Sequence, residues 1–349
     1  MIEAKGYAVH NKTDLLAPWT FERRDLKPHD VLIEIAFCGI CHSDIHQVRS
    51  EWGPAKYPMV PGHEIVGRVT GIGAEVAKFK EGDLVGIGCM VDSCKTCPTC
   101  RQGLEQFCEK GETVFTYNSL ERDKKTPTYG GYSNKIVCTE EFVVKVSERL
   151  PLSGVAPLLC AGITTYSPIK KWGIGKGHKV AVVGLGGLGH MAVKFAVALG
   201  AEVTVLSTSP SKEKDAKNLG AHNFCITTNP EHVKKYSNYF NFTIDAVSAP
   251  HDYEMYFGLL AIGGVHICVG LPTEPMKFSA FSLLRGNRSI SVSSIGGIPE
   301  TQEMLDFCAE HDIVSDVEVI NINYVNEAYE RVLSSDVKYR FVIDMDTLN

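Results

Sequence analysis

The sequence predicts a two-domain α/β protein in which a doubly wound parallel sheet is joined to a smaller β-rich lobe. Three observations carry that expectation. After Pro151, buried strand-like runs alternate with helix-like runs, the pattern of a parallel sheet with helices on both faces. The run G-L-G-G-L-G lies between the first of those strands and the first of those helices. Before Leu150 the segments are short, alternate apolar with polar residues and are broken by Gly, Pro and Asp, as in an irregular β lobe.

At 349 residues the chain exceeds one core of ordinary size and suits two. In the first lobe, residues 31–37, 65–70, 84–87 and 136–137 read as strands. In the second, residues 179–183 form a compact buried strand, followed by the glycine run and a helix over 191–199. Further strands are expected at 203–207, 224–227, 242–247, 265–269 and 290–294, with a helix at 211–219. The tail holds an amphipathic run, T-Q-E-M-L-D-F-C-A-E-H, and ends in K-Y-R-F-V-I-D-M, a last strand that on pattern alone joins either lobe.

Composition excludes several function classes. Hydrophobic content of 44% and charged content of 22% describe a globular protein. A formal net charge of -6 with no basic run argues against a nucleic-acid partner. The segment 180–201 is apolar enough to suggest a membrane span, but its glycines, His190 and Lys194 fit a buried strand, turn and helix better. No membrane partner is expected. The N-terminus M-I-E-A-K-G-Y has no apolar stretch after a basic start, so no secretory leader is expected. Twelve cysteines then point to reduced thiols and metal ligands, and a cytoplasmic location follows by elimination.

Four of those cysteines, Cys94, Cys97, Cys100 and Cys108, fall within fifteen polar, turn-rich residues. Thiolates two residues apart can bend around one small ion, and two pairs close a tetrahedron. A full thiolate set leaves no open coordination position, so a zinc ion here is expected to be structural.

The glycine run, Gly184, Leu185, Gly186, Gly187, Leu188 and Gly189, matches G-x-G-x-x-G between strand and helix, the setting that a dinucleotide-binding Rossmann unit requires. The first glycine permits the tight turn, the second lets backbone approach a pyrophosphate, and the third lets helix and strand pack closely. The helix N-terminus supplies amide donors for the phosphates. About 20 residues on, NAD-binding units place an acid against the ribose 2′-hydroxyl. Here the text is V-T-V-L-S-T-S-P-S-K, with no acid. Ser207, Thr208 and Ser209 offer hydroxyls and Lys212 a cation, which suit a 2′-phosphate, so NADP(H) is the expected cofactor. Ser209 before Pro210 also reads as a helix start, and both roles can hold together.

Cys41 in G-I-C-H-S-D-I-H, His63 in P-G-H-E-I-V-G and Cys160 in L-L-C-A-G-I-T-T-Y are too dispersed for spacing to join them. Taken singly, Cys160 reads as a core thiol and His63 as a core or turn histidine. However, G-H-E-x2-G-x5-G-x2-V, running from Gly62 to Val76, resembles the signature of zinc-dependent alcohol dehydrogenases of the medium-chain dehydrogenase/reductase superfamily. The likeness extends over essentially the whole chain, through G-I-C-H-S-D-I-H, the four-cysteine loop, C-A-G-I-T-T-Y-S-P and the dinucleotide turn. S-T-S-P-S-K, G-G-Y-S at 130–133 and S-I-G-G at 294–297 resemble the cinnamyl alcohol dehydrogenase branch.

This resemblance implies a GroES-like catalytic domain over 1–150, a Rossmann NADP-binding domain over 151–298 and a return to the catalytic domain over 299–349. It implies a second, catalytic zinc on Cys41, His63 and Cys160, the Cys2His set known from alcohol dehydrogenases and taken here from that family. Glu64 matches an acid that can approach the metal, Asp44 a carboxylate that orients the ligating histidine, and Arg340 the basic partner of Asp44. Ser43 and His46 match a proton relay that passes the alcohol proton by way of the nicotinamide ribose to solvent; their bland reading is a braced loop. His42 matches a pyrophosphate contact or is an exposed loop histidine. Thr164, Ser294 and Ile295 match further cofactor contacts. Gln47, Trp52, Cys89 and Tyr117 fall where relatives line the substrate pocket, although Trp52 and Tyr117 also suit ordinary packing. Relatives form homodimers, which here implies strands near 290–294 meeting across a two-fold axis.

The expected function is therefore a zinc-dependent, NADP(H)-linked alcohol dehydrogenase or aldehyde reductase acting on primary aryl or aliphatic alcohols and aldehydes. The alternatives are an NAD-linked polyol or secondary-alcohol dehydrogenase, and a non-catalytic structural relative of the fold.

Overall fold

The structure, a computed structural model, describes residues 1–272 and 274–348. Thr273 and Asn349, which the expected domain ranges include, lie outside the described residues. The chain divides into two compact units, one built from Met1–Ile163 and Gly296–Asn349, the other from Thr164–Ile295.

Among the described residues, six strands of the second unit form one parallel sheet in the spatial order Asn223–Ile226, Glu202–Ser207, Lys179–Val183, Phe240–Asp245, Leu260–Cys268 and Ser289–Val292. Counted along this unit the order is 3-2-1-4-5-6, the doubly wound arrangement whose order reverses beside the first strand. Val180, Ala181, Val182 and Val183 are all buried because helices cover both faces. The helix Gly187–Ala198 starts inside the glycine run, earlier than the expected 191, with Gly186 as its N-cap. Glycine is a poor helix former, but here its small size is what lets the first turn lie against the strand.

In the first unit a mostly antiparallel sheet runs Val317–Asn321, Arg340–Asp344, Asp30–Gly39, Ile65–Ile72, Leu84–Ile87 and Val144–Lys145, with Lys135–Thr139 also paired to Asp30–Gly39. The tail strand Arg340–Asp344 thus pairs with the first lobe, opposite 37–39. Residues 151–163, expected in the second unit, pack in the first: Leu158 and Leu159 are buried, and Leu159 lies against Gly86. The strands Ile2–Ala8, Ala17–Arg23 and Val317–Asn321 were not anticipated from pattern; their faces are incompletely buried, which blurs the apolar alternation. Strands Met90–Asp92 and Val114–Phe115 pair and so pinch off the four-cysteine loop between them. Among the described residues no single helix is long and apolar enough to cross a membrane.

The three motif glycines separate by role. Gly184 holds φ +84°, a region favouring glycine. A Cβ at Gly186 would meet nothing within 4 Å, whereas a Cβ at Gly189 would stand 2.0 Å from the Gly184 carbonyl oxygen. Gly189→Ala is therefore expected to destabilise the second unit by about 1–3 kcal/mol. A thermal unfolding midpoint unchanged from wild type would refute that close approach.

Candidate metal centres and dinucleotide turn

Cys41 caps the helix His42–Val48, and its backbone N–H donates to Asp44 Oδ2 at 2.9 Å. Asp44 is fully buried. Its Oδ1 accepts from the Gly62 N–H at 3.1 Å and from His63 Nδ1 at 3.0 Å, and Tyr132 Oη donates to Oδ2 at 3.3 Å. Because Nδ1 of His63 is spent on Asp44, Nε2 is the ring nitrogen that could bind an ion. Cys160 follows the short helix Ala156–Leu159 and brings its sulfur to 3.9 Å from that of Cys41. The ligand atoms of Cys41, His63, Glu64 and Cys160 all lie within 4.8 Å of one another, and all four residues are buried.

Metal bonds of about 2.3 Å to two thiolates of a tetrahedron put the sulfurs about 3.8 Å apart, which the Cys41–Cys160 pair matches. Charge supports the same reading. With both thiols ionised, Cys41, Cys160, Asp44 and Glu64 would carry four negative charges against Arg340 and a protonated His63, and a dication reduces that buried imbalance. The Cys41 thiol is held well below its usual range, first by the Cys160 thiol, with Arg340 and His63 assisting against burial. Cys160 is pushed well up, first by sharing that proton with Cys41. Burial opposes a charge on His63, but Asp44 outweighs it and raises the imidazole well above its ordinary value.

One expected pairing is corrected. Arg340 contacts Glu64 Oε1, not Asp44. The register of Arg340–Asp344 against 37–39 delivers Arg340 to Glu64, whose carbonyl accepts from the Gly39 N–H at 2.9 Å, while both oxygens of Asp44 are already occupied. Burial pushes Glu64 up to about 8 against the pull of Arg340, and Arg340 is itself raised: burial opposes its charge, but Glu64, Cys41 and Cys160 together outweigh it. The guanidinium contact favours the ionised carboxylate. Glu64 Oε2 is buried without a hydrogen-bond partner, and a Cβ at Gly39 would stand 2.0 Å from it.

Ser43 Oγ lies 3.5 Å from the Cys41 sulfur. Further along the same helix, His46 Nδ1 meets Glu51 Oε2 at 2.5 Å, and the His46 ring stacks on Trp52 at 4.7 Å. Glu51 was missed by sequence reasoning; its spacing, five residues after His46 and past the helix end, carries no local signal. The remaining expected pocket residues fall around this cluster. The Tyr117 ring lies 5.8 Å from His63, and Gln47 Oε1 accepts from Asn118 Nδ2. The Cys89 thiol is lowered first by that of Cys160. His42 is exposed on the first turn of the helix.

The four-cysteine loop closes as its spacing predicts. The sulfurs of Cys94 and Cys100 are 3.8 Å apart and those of Cys97 and Cys108 4.0 Å, and all four side chains are buried.

In the second unit, Ser207 ends the second strand and its Oγ accepts from the Ser209 N–H at 3.1 Å. Lys212 Nζ donates to the Leu185 carbonyl at 3.1 Å, which holds its ammonium beside the glycine turn. Thr208 is exposed next to them. Thr164 is buried in the helix Ala161–Lys171. Ser294 is exposed and Ile295 half-buried. Ile295 holds φ +34°, an uncommon conformation for a β-branched residue that no sequence pattern announces.

A thiolate–imidazole metal centre in one unit and a dinucleotide turn in the other define a zinc-containing, nucleotide-linked oxidoreductase. Residues 27–148 match the alcohol dehydrogenase GroES-like domain family and residues 187–310 the zinc-binding dehydrogenase family. The chain is 54% identical over 348 residues to NADP-dependent alcohol dehydrogenase C 1 of Mycolicibacterium smegmatis, covering 100% of this chain and 99% of that one. It is 50% identical over 349 residues to aldehyde reductase YahK of Escherichia coli, covering 99% of each. Among solved structures, the cinnamyl alcohol dehydrogenase SbCAD4 of Sorghum bicolor superposes with a TM-score of 0.96 at 43% identity, over 99% of both chains. The chain belongs to the zinc-dependent alcohol dehydrogenase family, within the medium-chain dehydrogenases/reductases.

Elemental analysis is expected to find two zinc ions per chain. His63→Ala should lose one and keep the fold, Cys97→Ala should lose the other and lower the unfolding temperature, and Asp44→Asn should weaken retention of the first by about 10- to 100-fold.

Proposed function

We propose that the chain interconverts primary alcohols and aldehydes, aryl or aliphatic, using NADP(H), and that it works mainly as a broad aldehyde reductase. The observation that carries this reading is the convergence of Cys41, His63 and Cys160 into one buried ligand set. The names of the Mycolicibacterium and Escherichia relatives point the same way.

Cys41, His63 and Cys160 would hold the catalytic zinc, and Cys94, Cys97, Cys100 and Cys108 the structural one. When bound, the catalytic ion supplies Lewis acidity, which lowers the pKa of an alcohol and polarises an aldehyde; NADP(H) supplies the hydride chemistry. The protein's own groups do the rest. Asp44 fixes the His63 tautomer. Glu64 has one oxygen on Arg340 and one free to turn toward the metal. Ser43 takes the substrate proton and His46 exchanges it with solvent. Glu51 accepts the His46 Nδ1–H, which leaves Nε2 as the basic nitrogen. Gln47, Trp52, Cys89 and Tyr117 would form the substrate wall, apolar and aromatic enough for aryl or long aliphatic aldehydes. On the cofactor side, Gly184–Gly189 would receive the pyrophosphate, with His42, Thr164, Ser294 and Ile295 as further contacts. Ser207, Thr208, Ser209 and Lys212 would receive the 2′-phosphate.

The same proposal extends to assembly and location. Among the described residues, strand Ser289–Val292 is the last of its sheet, and Val292, Phe281 and Leu284 are exposed on the same unit. A second copy pairing at that edge, giving a homodimer, would cover it. All twelve cysteines, each among the described residues, are free thiols, in keeping with the cytoplasm.

NADPH-dependent reduction of an aryl aldehyde should be lost on chelation and restored by zinc. Ser207→Asp should raise KM for NADPH at least about tenfold while leaving KM for NADH nearly unchanged, since a carboxylate repels a 2′-phosphate; equal changes would refute the NADP(H) assignment. In sedimentation, Val292→Asp should convert a dimer to monomer, and an unchanged sedimentation coefficient would refute the edge-pairing.

A further inference from the structure

The second unit contains a buried ionic network that the proposed reaction does not use. Asp245 ends the fourth strand of its sheet, opposite Val183 of the first, where the strand order reverses and open parallel sheets take their ligands. Its carboxylate is buried. Oδ1 accepts from the Val247 N–H at 3.0 Å, and Oδ2 faces two imidazoles, His251 Nε2 at 2.7 Å and His266 Nε2 at 3.2 Å.

The two imidazoles differ in what meets their other nitrogen. His266 Nδ1 faces the Thr243 hydroxyl at 2.6 Å. A hydroxyl can donate, so His266 is satisfied with one ring proton. His251 Nδ1 faces the Ala249 carbonyl at 2.8 Å, which can only accept. With acceptors on both nitrogens, His251 needs two ring protons and forms an imidazolium–carboxylate pair with Asp245. The same Asp245, His266 and Cys268 atoms are close enough to hold a cation, but both His266 nitrogens are already hydrogen-bonded, so the cluster is a proton network.

The loop that this pair closes touches the glycine turn. Val247 Cγ2 lies 3.0 Å from where a Cβ on Gly184 would stand, and the Val247 backbone lies 2.6 Å from a Cβ placed on Gly270. The Ala246 N–H donates to the Val183 carbonyl at 3.0 Å. Residues 246–247 are thus wedged between two glycines, and His251 ties the far end of the loop back to Asp245.

We infer that His251, as an imidazolium, is a positioning residue that locks residues 246–251 beside Gly184 and thereby sets the affinity for the dinucleotide. The inference rests on the cofactor reading above. Loss of the second ring proton leaves either Ala249 or Asp245 without its donor and frees the loop next to the turn.

The surrounding groups allow that titration. Burial opposes ionisation of Asp245, but the bonds from His251 and His266 hold its carboxyl below the ordinary value. Burial likewise opposes the charge on His251; Asp245 outweighs it and, with the Ala249 carbonyl and Asp252, raises the imidazole above its ordinary value. Tyr253 and Tyr256 pack at 4.3 and 5.5 Å from the His251 ring. Burial and then Asp245 raise both phenols, Tyr256 to about 12, and the Cys268 thiol also to about 12. His251 is thus the group on which the loop closure depends, with its imidazole held above the ordinary value. Its raised value fixes the sign: affinity is complete on the acid side and falls as pH rises through that value.

The test is a fluorescence titration of NADPH into the zinc-loaded full-length protein from about pH 6.5 to about pH 9. The wild-type Kd should rise roughly three- to tenfold across that range, the loss of about one hydrogen bond. His251→Phe should bind weakly with no such rise. His251→Arg, permanently charged, should bind tightly with no such rise. Lys212, lowered by burial, is common to all three proteins, so the difference between their profiles reports His251 alone. Parallel pH profiles for wild type and His251→Phe would overturn the inference, as would a third zinc per chain that His266→Ala removes. Should wild type bind NADH and not NADPH, the NADP(H) reading fails separately, and the same titration with NADH decides this proposal.

Discussion

The cluster of Cys41, His63 and Cys160 depends on one buried carboxylate. Asp44 joins the backbone of Cys41, the backbone of Gly62 and the ring of His63, so two candidate ligands from separate segments are fixed to the same group. Burying a carboxylate costs several kcal/mol. Hydrogen bonds to a charged group contribute roughly 1.5–3 kcal/mol each, and Asp44 receives four, the last from Tyr132. The carboxylate is therefore stable where it is, and its presence decides the His63 tautomer.

Around this group the first unit is arranged to concentrate negative charge in a dry place. Glu64 and Arg340 are held there by strand register, and Gly39 is small because a side chain would displace the Glu64 carboxylate. The second unit follows a different logic. Its turn is made of absent side chains: Gly184 permits the backbone conformation, Gly186 leaves open space, and Gly189 admits the helix. One unit offers ligands and the other offers room, a division suited to a metal-assisted reaction on one side and a large anionic cofactor on the other.

Much of this was legible in the chain. The alternation of strands and helices after Pro151 gave the parallel sheet, because strands buried on both faces are continuously apolar. The four-cysteine loop and the glycine turn were legible because their geometry is set within a few residues. Strand ends were less so. Residues 246–247 look like a continuation of the strand Phe240–Asp245, yet the chain turns there because Asp245 captures the Val247 amide. Edge strands such as Ile2–Ala8 were lost because half-exposed faces weaken periodicity.

Spacing alone thus determined the closed four-cysteine loop, the dinucleotide turn and the class of sheet, since each is a local constraint of bond lengths, backbone conformation or burial. Tertiary structure decided which distant residues meet. Cys41 and Cys160 are 119 residues apart in sequence and 3.9 Å apart in space. Arg340 reaches Glu64 instead of Asp44 because sheet register fixes that contact over a separation of 276 residues, at which sequence carries no geometry.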